Sequence, residues 1–360
     1  MKRVLHVIRG FNNGGTEKYV MDLLRNTYKD YENILLLYED INYYKEELDN
    51  MNIKYIIIKS PKQLGFFKSI KKVRKVIKEN NIDIVYSYTY YNSSIVMLAA
   101  YLEGIKTRIT HAHRSSSEQK KSLKYLLYIF INKVLISMFT NVSLACSKEA
   151  GKSLFYKKYR IINNGINIDK YKYNTSDRIK LRRDLSIPDD YTVIGMVGRL
   201  DENKNNIYFI KVIEEYIKTN TKVKLILIGD GCEKDNLIEY VKKHNLQDYI
   251  VFLGNRNDVN RLYNVFDLYV LTSINEGLPY VLIEAQANGL RCLVSENVDR
   301  ESNLSGKMIF LPITDNYKLW CSEIDKNKGI RDNNRELIIS KGYSLNHSVK
   351  EVIDIYEKNN

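Results

Sequence analysis

Short apolar runs recur through the first half of the chain, at Arg3–Ile8, Asn33–Tyr38, Lys54–Ile58, Ile82–Tyr86, Lys106–Thr110 and Val142–Ala145. They have strand length and most are apolar almost throughout, the pattern of strands buried on both faces. Between them the spacing lengthens to helical repeats, at Thr16–Tyr28, Gly65–Glu79 and Ser93–Leu102. In the second of these, Phe67, Ile70, Val73 and Ile77 fall on one helical face. The pattern then restarts. Strands are expected at Thr192–Val197, Val223–Ile228, Ile250–Leu253, Leu268–Leu271 and Cys292–Val294, alternating with helices at Ile207–Lys218, Glu233–Lys243 and Pro279–Asn288. Strand–helix alternation of this kind predicts parallel sheets covered on both faces. The chain therefore reads as two doubly wound, Rossmann-like α/β domains facing a cleft. The expected spans are 1–168 and 169–344, joined through the polar stretch Asn163–Ser176, with a last helix within 345–360 packing back on the first domain.

Composition narrows this picture. At 360 residues and 44% hydrophobic content, the chain can bury two ordinary cores. The opening MKRVLHVIRG has one short apolar run broken by His6 and Arg9, which reads as a strand rather than a signal peptide. No stretch approaches the ~18–20 apolar residues of a membrane span. Cys146, Cys232, Cys292 and Cys321 are scattered, without metal-ligand spacing, which predicts a reduced, cytoplasmic protein. The formal charge of +13 admits nucleic acid, anionic lipid or phosphorylated substrates as partners, or a compositional bias toward Lys, Asn, Ile and Tyr. No helix-turn-helix, zinc or aromatic–basic signature accompanies it, which argues against nucleic acid.

In open α/β sheets ligands bind at the carboxyl ends of strands, so the post-strand loops are where chemistry is expected. After the first strand, Gly14 and Gly15 let backbone approach a ligand and Thr16 can cap the next helix; a plain tight turn is the alternative. After the restart strand, GRLDENKN carries Arg199 and Lys204, a planar fork and a point charge suited to a diphosphate, or two solvated cations. LIGDG and FLGNRNDV end two further strands in glycine turns, the second offering main-chain groups to a base edge or serving as a plain connection. EGLPYVLIE, from Glu276 to Glu284, enters a helix that Gly289 stops. Pro279 suits its first turn, and amides near Leu278–Tyr280 with the helix dipole can hold phosphate oxygens. Two acids flanking an anion site suit sugar hydroxyls on either side of a diphosphate, which is the order of a nucleotide sugar. A capped surface helix is the other reading.

These residues also carry a family likeness. EGLPYVLIEAQANG resembles the E-x7-E motif of retaining glycosyltransferase family 4, which has the GT-B fold. GGTEKYV, NNGIN, GRLDENKN, IGDG and FLGNRNDV are similar to that family's other landmarks, in order, from about Arg3 to Tyr356. THAHRSS and EAQANGL resemble its capsular and exopolysaccharide branch. The resemblance implies that Glu276 meets the donor sugar, Glu284 the ribose, and Arg199 with Lys204 the diphosphate. It places Gly15 and the Gly277, Leu278, Pro279 and Tyr280 backbone around the donor, with Asn255 and Arg256 at the base. On the acceptor side it implies Gly14, Thr16, His111, His113 and Arg114, with His113 nearest the transferring sugar and His111 the alternative. Glu276, His113, Lys204 and Arg199 are thus the implied catalytic set. Gly277-Leu278-Pro279 stands where many relatives have Phe-Gly, and Asn167 where many have Asp, so Asn167 is assigned no role.

The chain contains no D-x-D triplet, and the family uses no metal for the diphosphate; no metal and no cofactor are expected, the nucleotide sugar, a UDP-sugar, being a substrate. Two basic stretches, Phe66–Asn80 and Lys120–Phe139, fall in the acceptor half. They read either as basic amphipathic helices on an anionic membrane or as ordinary helices packed on the sheet. A peripheral enzyme at the inner face of the membrane, acting on a lipid-linked saccharide, is the leading expectation. Transfer to another acceptor such as a glycolipid, a GT-B sugar-nucleotide epimerase, and a nucleic-acid-binding protein are the rivals.

Overall fold

In the computed structural model, residues 1–11, 14–40, 43–113 and 122–358 are described, and they form two compact units. The first comprises Met1–Gly165 and Leu345–Asn360, the second Ile166–Ser344.

The first unit holds a seven-stranded sheet: β1 (Arg3–Ile8), β2 (Glu32–Leu37), β3 (Lys54–Ile57), β4 (Ile84–Ser87), β5 (Thr107–Ala112), β6 (Val142–Ala145) and β7 (Arg160–Ile161). The order is β3-β2-β1-β4-β5-β6-β7, and every pairing is parallel. The chain winds outward from β1 in one direction and then returns to its other side at β4, so the switch point lies between β1 and β4. The Phe66–Glu79 helix buries Ile70, Val73, Val76 and Ile77 among Leu5, Val7, Leu36 and Val85, which leaves Lys68, Lys71, Lys72, Arg74, Lys75 and Lys78 exposed. Its apolar face is therefore spent on the core except at its start, where Phe67, expected on that face, is exposed. The terminal Leu345–Lys358 helix belongs to this unit: Tyr356 packs edge-on against Tyr31, and its carbonyl accepts from Lys2 Nζ at 2.7 Å.

The second unit holds β8 (Thr192–Val197), β9 (Val223–Ile228), β10 (Ile250–Gly254), β11 (Leu268–Leu271), β12 (Cys292–Ser295) and β13 (Ile309–Leu311). The order is β10-β9-β8-β11-β12-β13, again parallel throughout, with the switch between β8 and β11. Alternation along β9 shows how one strand serves two cores. Leu225 and Leu227 pack with Phe209, Ile213 and Trp320, while Ile226 and Ile228 pack with Tyr263, Phe266 and Leu282. Asp267, just before β11, gathers Arg178 and Arg182, each at 2.6 Å, and accepts the Val193 amide at 2.8 Å. Arg182 is buried and the other two are half-buried, and all three charges are paired and hydrogen-bonded.

β7 and β13 carry no separate expectation in the sequence. One is two residues long and the other three, below the length at which apolar alternation is legible. β4 also starts later than the expected Ile82: the Asp83 amide donates to the Arg3 carbonyl at 2.9 Å, but the Arg3 amide is taken by the Asp83 carboxylate at 2.8 Å rather than by a main-chain carbonyl. No helix among the described residues is long and apolar enough to cross a membrane.

Candidate active site

The loops that follow β8, β9 and β10 are stitched into one floor. Gly198 N donates to Ile228 O, Leu200 N to Asp230 O, Glu233 N to Leu200 O, and Gly229 N to Gly254 O, at 2.8–3.0 Å. Gly229 has φ +135°, and a Cβ there would stand 1.9 Å from the Gly198 carbonyl oxygen. Only glycine allows this approach.

From that floor the chain makes a short turn. The Asp201 carboxylate accepts the Lys204 amide at 3.0 Å and caps the 3-10 turn Glu202–Lys204; Asn205 then takes a left-handed conformation (φ 49°) and leads into the Asn206–Tyr216 helix. Thr272, beyond β11, donates its hydroxyl to the Lys204 and Asn205 carbonyls, so the two post-strand loops share one backbone junction. This junction brings Lys204 to Glu276: Nζ lies 2.5 Å from Oε1, with the two side chains 14% and 18% exposed. Asn203 completes the contact. Its Nδ2 donates to the same Oε1 at 3.2 Å and to the Asn275 carbonyl at 3.0 Å, while its own carbonyl accepts the Ile274 amide at 2.8 Å. Glu276 is held by its backbone as well, since its carbonyl accepts the Asp299 amide at 2.9 Å. Both donors reach Oε1, and Oε2 has no partner among the described residues.

Glu276 is followed by Gly277, where a Cβ would meet nothing within 4 Å, so the backbone there borders open space. The helix runs Tyr280–Ala287, with Pro279 as its N-cap rather than within its first turn. The expected position shifts by one because Pro279 has extended backbone (ψ 134°) and its carbonyl accepts the Leu282 amide. Gly289 (φ 87°) ends the helix. Glu284 lies inside it, 4% exposed. Its Oε1 accepts the Tyr171 hydroxyl and its Oε2 the Tyr263 hydroxyl, each at 2.9 Å. Burial, then the Glu284 charge, raises the Tyr263 phenol well above its ordinary value, so it stays a donor.

Other implied donor residues stand differently. Arg199 is 73% exposed and pairs with Asp201 at 3.1 Å, so no contact unites it with the Lys204–Glu276 pair. Arg256, after β10, makes a bidentate contact with Asp258 (2.8 Å for both bonds), and its neighbour Asn255 is exposed.

In the first unit, Gly14 is the N-cap of the Gly15–Thr27 helix, and its carbonyl accepts the Lys18 amide at 2.9 Å. Thr16 is therefore not the cap; the helix begins one residue earlier than expected, with Gly15 inside it. His111, in β5, is fully buried, with Nδ1 2.8 Å from the Tyr86 hydroxyl. Burial and then the neighbouring His113 push its pKa well below the ordinary value, so it is neutral. His113 lies just past the strand, half-buried, its ring 4.0 Å from that of His111 and 4.8 Å from that of Tyr19. His6 joins the cluster from β1, bonded to Tyr88 and Asn33. Arg114 lies outside the described residues.

Sequence reading missed Asn203, Tyr171 and Tyr263, which hold the two motif acids. Asn203 adjoins Lys204 and was available as a signal. Tyr171 and Tyr263 lie 113 and 21 residues from Glu284, and only folding brings them there.

Comparison with known proteins bears on the family and the fold. Residues 13–170 match the model of Glycosyltransferase Family 4, and residues 177–300 match that of Glycosyl transferases group 1. The chain is similar to the protein EpsF of Bacillus subtilis (strain 168), 29% identical over 99% of this chain and 96% of that one. It is also similar to the Staphylococcus aureus capsular polysaccharide biosynthesis glycosyltransferase CapH, at 27% over 99% of both chains. A UDP-Gal:alpha-D-GlcNAc-diphosphoundecaprenol alpha-1,3-galactosyltransferase of Escherichia coli is 26% identical over 80% of this chain and 79% of its own. Among solved structures, Anabaena HepE in complex with UDP-glucose superposes with a TM-score of 0.81 at 20% identity, covering 99% of each chain. The family matches make the protein a glycosyltransferase, and its two parallel-sheet units have the GT-B architecture. The protein belongs to glycosyltransferase family 4 and is related to the capsular and exopolysaccharide enzymes within it.

Proposed function

We propose that the protein is a retaining, metal-independent hexosyltransferase that moves a sugar from a UDP-sugar to a lipid-linked saccharide in capsular or exopolysaccharide synthesis. The observation that carries the reading is the Lys204–Glu276–Asn203 contact at the mouth of a helix N-terminus. Lys204 supplies a fixed positive charge where a leaving diphosphate gathers negative charge, which lowers the barrier without a metal. Arg199 swings from Asp201 to add a second cation. Glu276, steadied through Oε1, presents Oε2 to a hydroxyl of the transferring sugar. Glu284 accepts from the ribose, with Tyr171 and Tyr263 holding it in place. Asn255 and Arg256 border the base, and the Gly277–Tyr280 backbone and Gly15 complete the donor site. His113, with His111 behind it and Gly14, Thr16 and Arg114 nearby, serves the acceptor side. The leaving diphosphate takes the acceptor proton on the face it departs, so configuration is kept.

Supporting the donor assignment is the likeness to a fold neighbour solved with UDP-glucose. Supporting the acceptor is the relative named for a diphosphoundecaprenol-linked sugar. The exposed cations of the Phe66–Glu79 helix suit attachment to anionic lipid at the cytoplasmic face.

The test is a panel of UDP-sugars offered with extracted lipid-linked saccharides, read by mass spectrometry and by NMR of the new anomeric centre. A retained α-linkage, formed equally well in EDTA, is expected. Reversible loss of turnover in EDTA, or an inverted product, overturns the corresponding part. Isomerised UDP-sugar formed without acceptor makes the protein an epimerase instead.

A further inference from the structure

The Leu123–Phe139 helix is apolar and carries no acid, and its two halves are packed very differently. In its C-terminal half Asn132, Lys133 and Ile136 are buried, Asn132 accepting the Ser94 hydroxyl and Lys133 lying 4.3 Å above the Tyr156 ring. In its N-terminal half Leu123, Lys124, Tyr125, Leu126, Leu127 and Tyr128 are exposed in succession, and Phe130 and Ile131 follow at 55% and 46%. One flank of that half is held by the protein, where Tyr128 donates to Asn92 Oδ1 at 3.2 Å and the half-buried Ile129 packs with the Tyr91 and Cys146 cluster, and the rest presents an apolar face to solvent.

Leu123, Leu126, Leu127, Phe130 and Ile131 make one broad exposed apolar face, with Tyr125 and Tyr128 partly exposed beside it. The charges around it point to a lipid phase as its cover. From Gln119 to Lys148 the sequence has no Asp or Glu, and Lys124 is the one charged residue between Ser122 and Ile131. Tyr125 and Tyr128 are side chains that favour the headgroup boundary. The Ser93–Leu102 helix packs against this helix and against Phe66–Glu79, so the exposed lysines of the latter belong to the same layer. The exposed half, Leu123–Ile131, is about 13 Å long at 1.5 Å per residue, under half of the ~30 Å hydrocarbon core.

We propose that the Leu123–Ile131 end of this helix inserts into one leaflet of a lipid bilayer, as an anchor held by apolar burial rather than by charge. This rests on the reading that the enzyme works on a lipid-linked acceptor. It deepens that reading: exposed lysines alone attach only to anionic lipid at low salt, whereas an inserted apolar end holds to neutral lipid and resists salt.

The experiment uses the full chain with phosphatidylcholine vesicles, with and without phosphatidylglycerol, at low and high salt. A Phe130→Trp variant reports insertion by quenching from brominated lipid, because the native Trp320 is fully buried in the second unit and stays silent. Quenching is expected on both vesicle types. A Leu126→Gln, Leu127→Gln, Phe130→Gln, Ile131→Gln variant changes only exposed side chains. It is expected to lose vesicle binding by roughly tenfold or more in high salt, with thermal midpoint and UDP affinity unchanged. Fluorescence of the Phe130→Trp variant that brominated lipid leaves unquenched, or undiminished binding by the fourfold variant, overturns the proposal. So does sedimentation showing a dimer of the parent chain that the variant loses, since a second copy then covers the helix. Vesicle binding and sugar transfer are read separately, so failure of the enzymatic reading is distinguishable from failure of the anchor.

Discussion

Replacing Glu276 by Gln separates two effects that most site mutations confound. In the structure the Glu276 carboxylate and the Lys204 ammonium touch at 2.5 Å, both less than a fifth exposed. A hydrogen bond to a charged group in such a place is worth about 1.5–3 kcal/mol. A diphosphate arriving at Lys204 therefore meets a cation already partly neutralised. Glu276→Gln keeps the shape and the Asn203 bond but removes the negative charge. If the diphosphate recovers roughly 1 kcal/mol of that attraction, the affinity for free UDP rises by a factor of about five. The transferring sugar, however, loses its charged acceptor, and kcat should fall by roughly 10²–10³, as when a preorganised polar contact at a reacting centre is removed. The assay is calorimetric titration of UDP beside steady-state kinetics, with the melting temperature as a control for folding. Tighter UDP with lower kcat is the expected pair. Weaker UDP binding, or unchanged turnover, would show that the Lys204–Glu276 contact is a structural ion pair and refute the reasoning.

Glu284→Gln should behave in another way. An amide cannot accept on both sides, so one tyrosine hydroxyl loses its carboxylate acceptor; UDP affinity and stability are both expected to fall, each by about 1.5–3 kcal/mol, measured by titration and urea denaturation. A Gly229→Ala variant forces a Cβ against the Gly198 carbonyl at a left-handed position, and should cost about 2–3 kcal/mol of stability while weakening UDP binding through the displaced Arg199 loop. The pH dependence follows from His6 and His111. Burial, partly opposed by the Asn33 bond, holds His6 down to about 4, and burial with His113 holds His111 well below its ordinary value. The unfolded chain takes these protons first, at ~6.5, so the stability contribution is complete above that pH and is lost as pH falls toward 4. Thermal midpoints should drop across that window, and His6→Gln, which takes no proton, should flatten part of the slope.

The membrane question shows where sequence pattern misleads. Phe66–Glu79 has the periodicity of an amphipathic surface helix, but Ile70, Val73 and Ile77 of its apolar stripe are buried on the first sheet, and its basic face remains exposed together with Phe67 at its start. The Leu123–Phe139 helix is apolar almost throughout, so periodicity gave no reason to single out one end of it. Its exposure depends on where the sheet and the neighbouring helix stop supporting it, which is a tertiary fact.

The chain alone determined the two parallel α/β units, because strand-length apolar runs alternating with helical repeats admit few other packings. It also marked Glu276, Glu284, Arg199 and Lys204, because post-strand loops are where an open sheet presents ligands. What it could not decide was which of these groups touch. Lys204 and Glu276 are 72 residues apart and meet only because β8 and β11 are neighbours at the switch point. Arg199, five residues from Lys204, turns to Asp201 instead, since the capped 3-10 turn sends the two side chains along different courses. Hydrogen-bond partners are set by backbone direction at the ends of strands, and that direction is fixed only when the whole sheet has formed.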